Sequence, residues 1–211
     1  MGDTVVILHG IFRSSFHMRK LAAFLAGCGY NIINCDYPST RHTLEELTES
    51  IWSDIAPRLP ATHPTHFVGY SMGGLLVRAI LAKHRPPMMG RVVQLAPPNH
   101  GSEVADTVKR WWLYRKLYGP AGQQLGTDTA AIAHLFGAVN YDLGIIAGNL
   151  CLDPFSALLL KGQNDGKVTI ERTKLSGMKA HIVVRASHTF FPHSREVQRQ
   201  TAHFLEQGVF L

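Results

Sequence analysis

The chain has few cysteines and no long apolar run. Its three cysteines, Cys28, Cys35 and Cys151, are an odd number and lack the close spacing of metal ligands. This pattern favours unpaired thiols in a reducing compartment over a disulfide scaffold, and we expect no metal site. No apolar stretch approaches the roughly 20 residues that a bilayer-spanning helix needs. Residues 1–3 lead into an aliphatic run without the basic segment of a signal peptide, so we expect a cytoplasmic protein.

Charged residues are also scarce, at 17% of the chain, and they are dispersed. The 21 Lys and Arg residues against 15 Asp and Glu give a net charge of +6. Because no DNA- or RNA-binding signature accompanies this balance, we expect no nucleic-acid partner, and a weak attraction to anionic membrane surfaces stays open. No repeat or linker interrupts the 211 residues. They predict a single domain over residues 1–211, of an oligomeric state that the sequence does not specify.

Short aliphatic runs alternate with helix patterns along the chain. The runs lie at residues 4–8, 30–36, 65–68, 92–96, 143–147 and 181–184, and the clearest helix patterns at 16–26, 43–59, 72–83 and 194–206. This alternation is typical of βαβ units. It predicts an α/β fold in three layers, with a mainly parallel sheet of about six strands flanked by helices.

Residues 64–84 contain the most specific motif. A β-prone run meets Gly69-Tyr70-Ser71-Met72-Gly73, and an apolar helix pattern follows at once. A serine at a sharp strand-to-helix turn needs small residues two positions away on both sides, and Gly69 and Gly73 meet that need. The turn exposes the Ser71 hydroxyl at a helix N-terminus, which favours developing negative charge. A chance match is the alternative, but the flanking strand and helix favour a nucleophilic serine.

A serine nucleophile needs a general base. His188 follows the last predicted strand and precedes the closing helix, where the base of such a site is expected. His193, at the start of that helix, and His203, within it, are the weaker candidates.

The base in turn needs an acid that holds its tautomer, and the preferred acid is Asp165 in a tight Asn-Asp-Gly turn. An ordinary turn aspartate is the alternative interpretation. Asp142 precedes the fifth strand and therefore lies at the opposite edge of the sheet. Asp153 follows that strand but is surrounded by apolar residues.

Acyl transfer also needs two N–H donors for the oxyanion. Met72, which follows the nucleophile, supplies one in our prediction, and Ile11, after His9-Gly10 in the loop behind the first strand, supplies the other. His9 either buttresses this loop by hydrogen bonding or is a satisfied histidine at a strand end.

Together these motifs resemble those of bacterial lipases and esterases of the α/β-hydrolase superfamily. The resemblance covers nearly the whole chain in order and is carried by His9-Gly10, residues 69–74, Asn99-His100-Gly101-Ser102, residues 164–168 and Ser187-His188. It implies an α/β-hydrolase fold with a small lid or none, a Ser71-Asp165-His188 triad and oxyanion donors at Ile11 and Met72.

The activity that this resemblance implies is cofactor-free hydrolysis of a small-molecule ester or lipid through an acyl-enzyme. A thioesterase or an acyltransferase on the same triad is one alternative. A non-catalytic binding protein of the same fold is another, although it would not need all three side chains.

The substrate pocket is the least specified part of the site. Its candidate residues are Phe12, His100, Trp111, Trp112 and Phe190. His100 and Ser102 follow the fourth strand, at the edge where α/β sheets bind ligands, with loop stabilisation as the alternative. Residues 104–118 interleave Trp and Tyr with Lys and Arg, which predicts either a lid or membrane-contact helix or a helix that packs its aromatic side chains on the sheet.

Overall fold

The computed structural model describes residues 2–102, 119–126, 130–153 and 159–211. The predicted lid or membrane-contact helix at residues 104–118, with Trp111 and Trp112, therefore lies outside the described residues. Most of the apolar stretch 154–160 does so as well.

Six strands form one parallel sheet in the spatial order β2-β1-β3-β4-β5-β6. They are β1 Thr4–Leu8, β2 Asn31–Asn34, β3 Thr65–Tyr70, β4 Met89–Leu95, β5 Leu143–Gly148 and β6 Ala180–Val184. Helices connect them, so the predicted α/β fold with about six parallel strands is confirmed. β4 begins three residues before the predicted run, because its first residues are only half-buried and do not continue the apolar pattern.

Helices lie against both faces of this sheet. They are α1 Ser15–Gly27, α2 Leu44–Ile55, α3 Met72–Lys83, α4 Ile170–Thr173 and α5 Arg195–Gln207, with 3-10 turns at Ala56–Arg58, Ala130–Leu135 and His188–His193. The start of α2 follows from the sequence alone. Thr43 Oγ1 accepts the Glu46 N–H at 3.3 Å and Glu46 Oε2 accepts the Thr43 N–H at 3.0 Å, a reciprocal cap of the first turn.

Successive side chains of β1 point to opposite faces of the sheet and contribute to two hydrophobic cores. Val5 and Ile7 pack on one face of the sheet with apolar residues of α1 and α5, whereas Val6 and Leu8 pack on the other face with those of α2 and α3. All four side chains are fully buried. Each such burial stabilises the fold by about 1.5–3 kcal/mol before entropic costs, which is why a strand of five residues holds three layers together.

The register of the central strands positions the functional loops. Leu8 at the end of β1 lies beside Gly69 near the end of β3. Because parallel strands end at the same edge of the sheet, the loop after β1 and the turn after β3 become neighbours. The candidate oxyanion loop and the candidate nucleophile therefore meet through strand pairing.

Within the described ranges, no helix is both long enough and apolar enough to cross a bilayer. Cys28, Cys35 and Cys151 are free thiols.

Candidate active site

Ser71 occupies a strained turn between β3 and α3. Its backbone angles are φ 54° and ψ −121°, a region that side-chain-bearing residues rarely adopt. Its N–H donates to the Leu95 carbonyl at 2.8 Å, which anchors the turn to β4. The turn has no room for side chains two positions away: a Cβ added to Gly69 would lie 2.5 Å from the Gly73 carbonyl oxygen. The glycine spacing in the sequence is thus a steric requirement of this turn.

Substituting Gly73 with alanine is expected to destabilise the fold by about 2–4 kcal/mol, as overpacking against rigid atoms does. The added Cβ would lie 2.4 Å from the Leu8 carbonyl oxygen and 2.6 Å from that of His9, and both are backbone atoms. Better helix propensity offsets only about 1 kcal/mol of this. Urea unfolding measures the difference. Gly27→Ala is the matched control, because a Cβ there meets nothing within 4 Å; equal stability of the two variants would contradict the steric explanation.

Three side chains that are far apart in sequence meet above this turn. His188 is the first residue of the 3-10 turn that follows β6. Its Nε2 lies 3.0 Å from Ser71 Oγ, and its Nδ1 lies 2.7 Å from Asp165 Oδ2. Asp165 is buried, and the His188 side chain is 13% exposed. With Nδ1–H donating to the carboxylate, Nε2 is left as the acceptor that faces the serine hydroxyl.

The Asn-Asp-Gly turn holds the Asp165 carboxylate at a defined orientation. Oδ1 accepts the N–H groups of Lys167 and Val168, each at 2.9 Å, which leaves Oδ2 for His188. The Asp165 carbonyl also accepts the His188 N–H at 2.9 Å. Gly166 follows with φ +98°, a conformation that glycine takes without strain. These contacts give both carboxylate oxygens partners and keep the charge directed at one ring nitrogen.

The competing candidates lie elsewhere and have other partners. His193 Nε2 lies 3.1 Å from the His17 carbonyl oxygen, and His203 Nδ1 lies 2.9 Å from that of Val209. Asp142 forms an ion pair with Lys179 at 2.7 Å beside the start of β5, as its position in the sequence predicts. Asp153 lies 3.4 Å from Lys167 Nζ.

Tyr70, immediately before Ser71, holds the backbone of His188. Its Oη donates to the His188 carbonyl oxygen at 2.6 Å, and the two ring centroids are 5.3 Å apart. Burial raises the pKa of Tyr70 above its usual range, so the phenol stays protonated as the donor. Tyr70 thus ties the end of β3 to the loop after β6.

Tyr70→Phe is expected to lower kcat about three- to tenfold with little change in KM, and to reduce stability by about 1 kcal/mol. The ring still fills its site, but the His188 carbonyl loses its donor and the imidazole loses a constraint on its position. Steady-state kinetics and urea unfolding measure the two effects. Tyr30→Phe, just before the start of β2 and therefore at the opposite edge of the sheet, is the control. A loss of stability without a change in kcat would show that the Tyr70 hydroxyl only stabilises the fold.

His9 supports the loop after β1. It is fully buried, its Nδ1 lies 2.8 Å from the Gly10 carbonyl oxygen, and its ring stacks on Tyr37 with centroids 3.9 Å apart. The Tyr37 hydroxyl donates to the His9 carbonyl, and the Tyr37 N–H points at His9 Nε2 at 3.4 Å. Desolvation lowers the pKa of His9, so the neutral ring donates through Nδ1 and accepts through Nε2. Of the two interpretations left open by the sequence, these contacts match the buttress.

Two backbone N–H groups are available beside Ser71. In the loop, the Phe12 N–H donates to Ser39 Oγ at 3.2 Å and the Arg13 N–H to the Gly10 carbonyl at 3.2 Å. The Ile11 N–H has no acceptor among the described residues. Met72 begins α3, and the first N–H groups of a helix have no intrahelical acceptor. Ile11 lines the cleft above Ser71, and Met72 follows Ser71 directly in the chain.

A cleft of about 350 Å³ opens above Ser71. It is lined by Gly10, Ile11, Phe12, Arg13, Tyr70, Ser71, Pro98, Ser102, Leu125, Lys167, Val168, His188 and Thr189. Of the predicted pocket residues, Phe12 lies in this lining. Phe190 lines a neighbouring concavity of about 160 Å³ behind His188. His100 is exposed, and its carbonyl accepts from Arg172 at 2.6 Å, outside the cleft lining. Trp111 and Trp112 are among the residues not described.

Several lining residues carried little or no signal in the sequence. Leu125 belongs to a segment rich in Gly and Ala whose pattern predicts nothing specific. The sequence left two roles open for Ser102, lining the pocket or stabilising its loop. In the structure Ser102 lines the cleft, and its Oγ also donates to the Lys167 carbonyl at 2.7 Å. Pro98 and Ser102 follow the carboxyl end of β4, where α/β sheets bind ligands, and this position is the sequence signal that places them at the cleft.

The fold and this arrangement define a hydrolase-type scaffold, and comparison with known proteins agrees. The family model described as alpha/beta hydrolase fold matches residues 3–136. The chain therefore belongs to the α/β-hydrolase family, which confirms the resemblance stated from the motifs.

Sequence similarity to curated relatives covers part of the chain. The lysosomal thioesterase PPT2 of Bos taurus is 27% identical over 143 residues, which cover 57% of this chain and 44% of that protein. The Mus musculus protein of the same name is 28% identical over 135 residues, with the same shares. The matched part is less than half the length of these relatives.

Solved structures share the fold over a larger part of the chain. The Bacillus licheniformis lipase BlEst2 in its mature form superposes with a TM-score of 0.75 at 20% identity, covering 99% of this chain and 93% of that one. The metagenomic carboxyl esterase MGS0156 gives a TM-score of 0.70 at 18% identity, covering 89% and 64%.

Proposed function

We propose that the protein is a serine hydrolase that cleaves carboxylic esters through an acyl-enzyme, with Ser71, His188 and Asp165 as the triad. The observation that carries this proposal is the pair of consecutive contacts at one imidazole, 3.0 Å to a serine hydroxyl on a strained turn and 2.7 Å to a buried carboxylate. A binding protein needs neither the strain nor the burial of this carboxylate.

In the proposed reaction, Ser71 Oγ attacks the ester carbonyl while His188 Nε2 takes its proton. The tetrahedral intermediate collapses, the bond to the leaving alcohol breaks, and His188 returns the proton to that oxygen. Water then attacks the acyl-enzyme by the same route and releases the acid. Asp165 holds the ring in the tautomer with Nδ1–H and stabilises the imidazolium that forms.

The oxyanion would be held by the N–H groups of Ile11 and Met72, each worth roughly 3–4 kcal/mol in comparable sites. What supports this assignment is that the neighbouring N–H groups in the loop are engaged, whereas that of Ile11 is not. The buried His9–Tyr37 pair supplies the rigidity that such a donor needs, because an oxyanion hole stabilises the transition state only when it requires no reorganisation.

The cleft composition favours an apolar acyl group. Beside Ser71 and His188, the apolar part of its wall includes Ile11, Phe12, Pro98, Leu125 and Val168, and Arg13, Ser102, Lys167 and Thr189 form polar parts. The apolar side chains offer no partner to a polar acyl chain, whereas an aliphatic chain would gain about 0.8 kcal/mol for each methylene buried.

Thioester hydrolysis is the second candidate. The similarity to proteins named lysosomal thioesterase PPT2 supports it. The same triad can attack a thioester, since the step differs only in the leaving atom. Paired oxygen and sulfur esters of the same acyl chain separate the two candidates through the ratio of their kcat/KM values.

The test is turnover of p-nitrophenyl esters from acetate to laurate, together with labelling by a fluorophosphonate probe. We expect saturable hydrolysis and one probe bound per chain on the peptide that contains Ser71. Heat-unfolded protein is the labelling control. Folded protein with neither turnover nor label would favour the non-catalytic binding protein.

A further inference from the structure

A second concavity adjoins the cleft above Ser71. It has a volume of about 460 Å³ and is lined by Phe12, Arg13, Ser14, Phe16, His17, Arg19, Lys20 and His193. Phe12 and Arg13 line both concavities, so the two meet at the loop after β1. A molecule that places its carbonyl at Ser71 can therefore extend into the second concavity.

The charge of this second concavity is of one sign. Arg13, Arg19 and Lys20 are exposed, and the sequence has no acidic residue between Asp3 and Asp36. None of the three cations has a carboxylate within 4.0 Å among the described residues. Asp36, the nearest acid in sequence, accepts the Ser15 N–H at 2.9 Å. The concavity therefore presents three positive charges that have no carboxylate partner among the described residues.

Three surface lysines elsewhere in the chain pair with neighbouring carboxylates. Lys83 pairs with Glu49 at 3.0 Å, Lys174 with Glu171 at 2.8 Å and Lys179 with Asp142 at 2.7 Å. What distinguishes Arg13, Arg19 and Lys20 is that all three line one concavity beside the cleft above Ser71.

Two phenylalanines border the same concavity and face solvent. Phe16 is 65% exposed and Phe12 is 44% exposed. Arg19 lies over the Phe16 ring at 3.8 Å, which orders its guanidinium. Phe12 is held at φ 57° with its N–H on Ser39, a strained conformation that points to a functional constraint. The surface thus joins apolar contacts to a concentrated positive charge.

We propose that this concavity binds a phosphate group on the leaving-group side of the substrate, so that the enzyme acts on acyl esters of phosphorylated alcohols. The proposal rests on the proposed serine hydrolase function. Guanidinium groups match the geometry of phosphate oxygens, and phosphate carries the charge that several cations together neutralise. In the reaction, the acyl–oxygen bond breaks, His188 protonates the leaving oxygen, and the phosphorylated alcohol departs intact.

The test compares two substrates that differ only in the phosphate, octanoyl glycerol phosphate and monooctanoyl glycerol. We expect kcat/KM to be about tenfold or more higher for the phosphorylated ester, as several partly exposed charge contacts would give. The variant Arg13→Gln/Arg19→Gln/Lys20→Gln should bring the ratio of the two values close to one. The charge-matched control Lys83→Gln/Lys174→Gln/Lys179→Gln should leave the ratio unchanged, because those lysines lie away from the site.

The outcomes separate the two proposals. If the wild-type protein hydrolyses both esters equally and the reaction depends on Ser71, phosphate recognition is wrong and the hydrolase function stands. If it hydrolyses neither glycerol ester but turns over p-nitrophenyl esters in a Ser71-dependent reaction, phosphate recognition is wrong and the hydrolase function stands. If it turns over no ester at all, the hydrolase function fails. Pelleting with phosphatidylglycerol vesicles tests a membrane source of the phosphate. Vesicle binding that the triple variant loses, with no preference between the soluble esters, would overturn substrate recognition in favour of membrane contact.

Discussion

Ser71→Ala is expected to lower kcat for a p-nitrophenyl ester by about 10⁵- to 10⁶-fold, the loss seen when a triad nucleophile is removed. The variant keeps the Cβ, so the turn at φ 54° should be no more strained than in the wild-type protein. Because the hydroxyl makes its contact to His188 at 3.0 Å and is not part of the apolar core, the free energy of unfolding should change by about 1 kcal/mol or less.

Steady-state kinetics and urea unfolding on the same preparations measure both effects. Ser53→Ala, on the exposed face of α2, is the matched control and should retain wild-type kcat. The Ser71→Ala variant should also lose labelling by the fluorophosphonate probe. Retention of even a tenth of the activity by a folded Ser71→Ala protein would mean that another group attacks the carbonyl.

Asp165→Asn is expected to lower kcat by about 10³- to 10⁴-fold. The reason lies in the turn. Oδ1 accepts two backbone N–H groups at 2.9 Å each, so the oxygen of the new amide should keep that position. Its NH₂ group would then face His188 Nδ1 and force the imidazole proton onto Nε2. A ring protonated at Nε2 cannot accept the Ser71 proton.

The control for this variant is Asp54→Asn on α2, where the carboxylate pairs only with Arg58; kcat should stay within about twofold of the wild-type value, as for most surface substitutions. The kinetics are measured across a pH series, together with unfolding. If Asp165→Asn is folded and its kcat falls less than tenfold, another carboxylate orients the base, and Asp153 is the next to test.

The elements with local signals were predictable because a few adjacent residues dictate their geometry. Gly69 and Gly73 are required by backbone contacts of 2.5 Å or less that any side chain would violate, so the turn at Ser71 is visible in the sequence. The Thr43–Glu46 cap and the Asn164–Gly166 turn are equally local. Alternation of aliphatic runs with helix patterns predicted the parallel sheet, since buried parallel strands are apolar on both faces.

Other features depended on distances that no local pattern contains. Which of His188 and His193, five residues apart, lies beside Ser71 depends on the 3-10 turn, which places the His188 ring there. The positions of Leu125 in the cleft and of Phe190 outside it depend on how loops from different strands pack. Arg13, Arg19 and Lys20 gave no signal as a group in the sequence, because only the fold shows that they line one concavity beside the cleft.

The sequence by itself therefore determined the strand-to-helix turn, the carboxylate-holding turn and the parallel α/β order, because each follows from backbone sterics or from burial repeated along adjacent residues. Only the tertiary structure decided that residues 71, 165 and 188 meet within hydrogen-bonding distance and that a positively charged concavity adjoins their cleft. Those properties arise from strand order and loop packing, where the partners are separated by up to 117 positions in the chain.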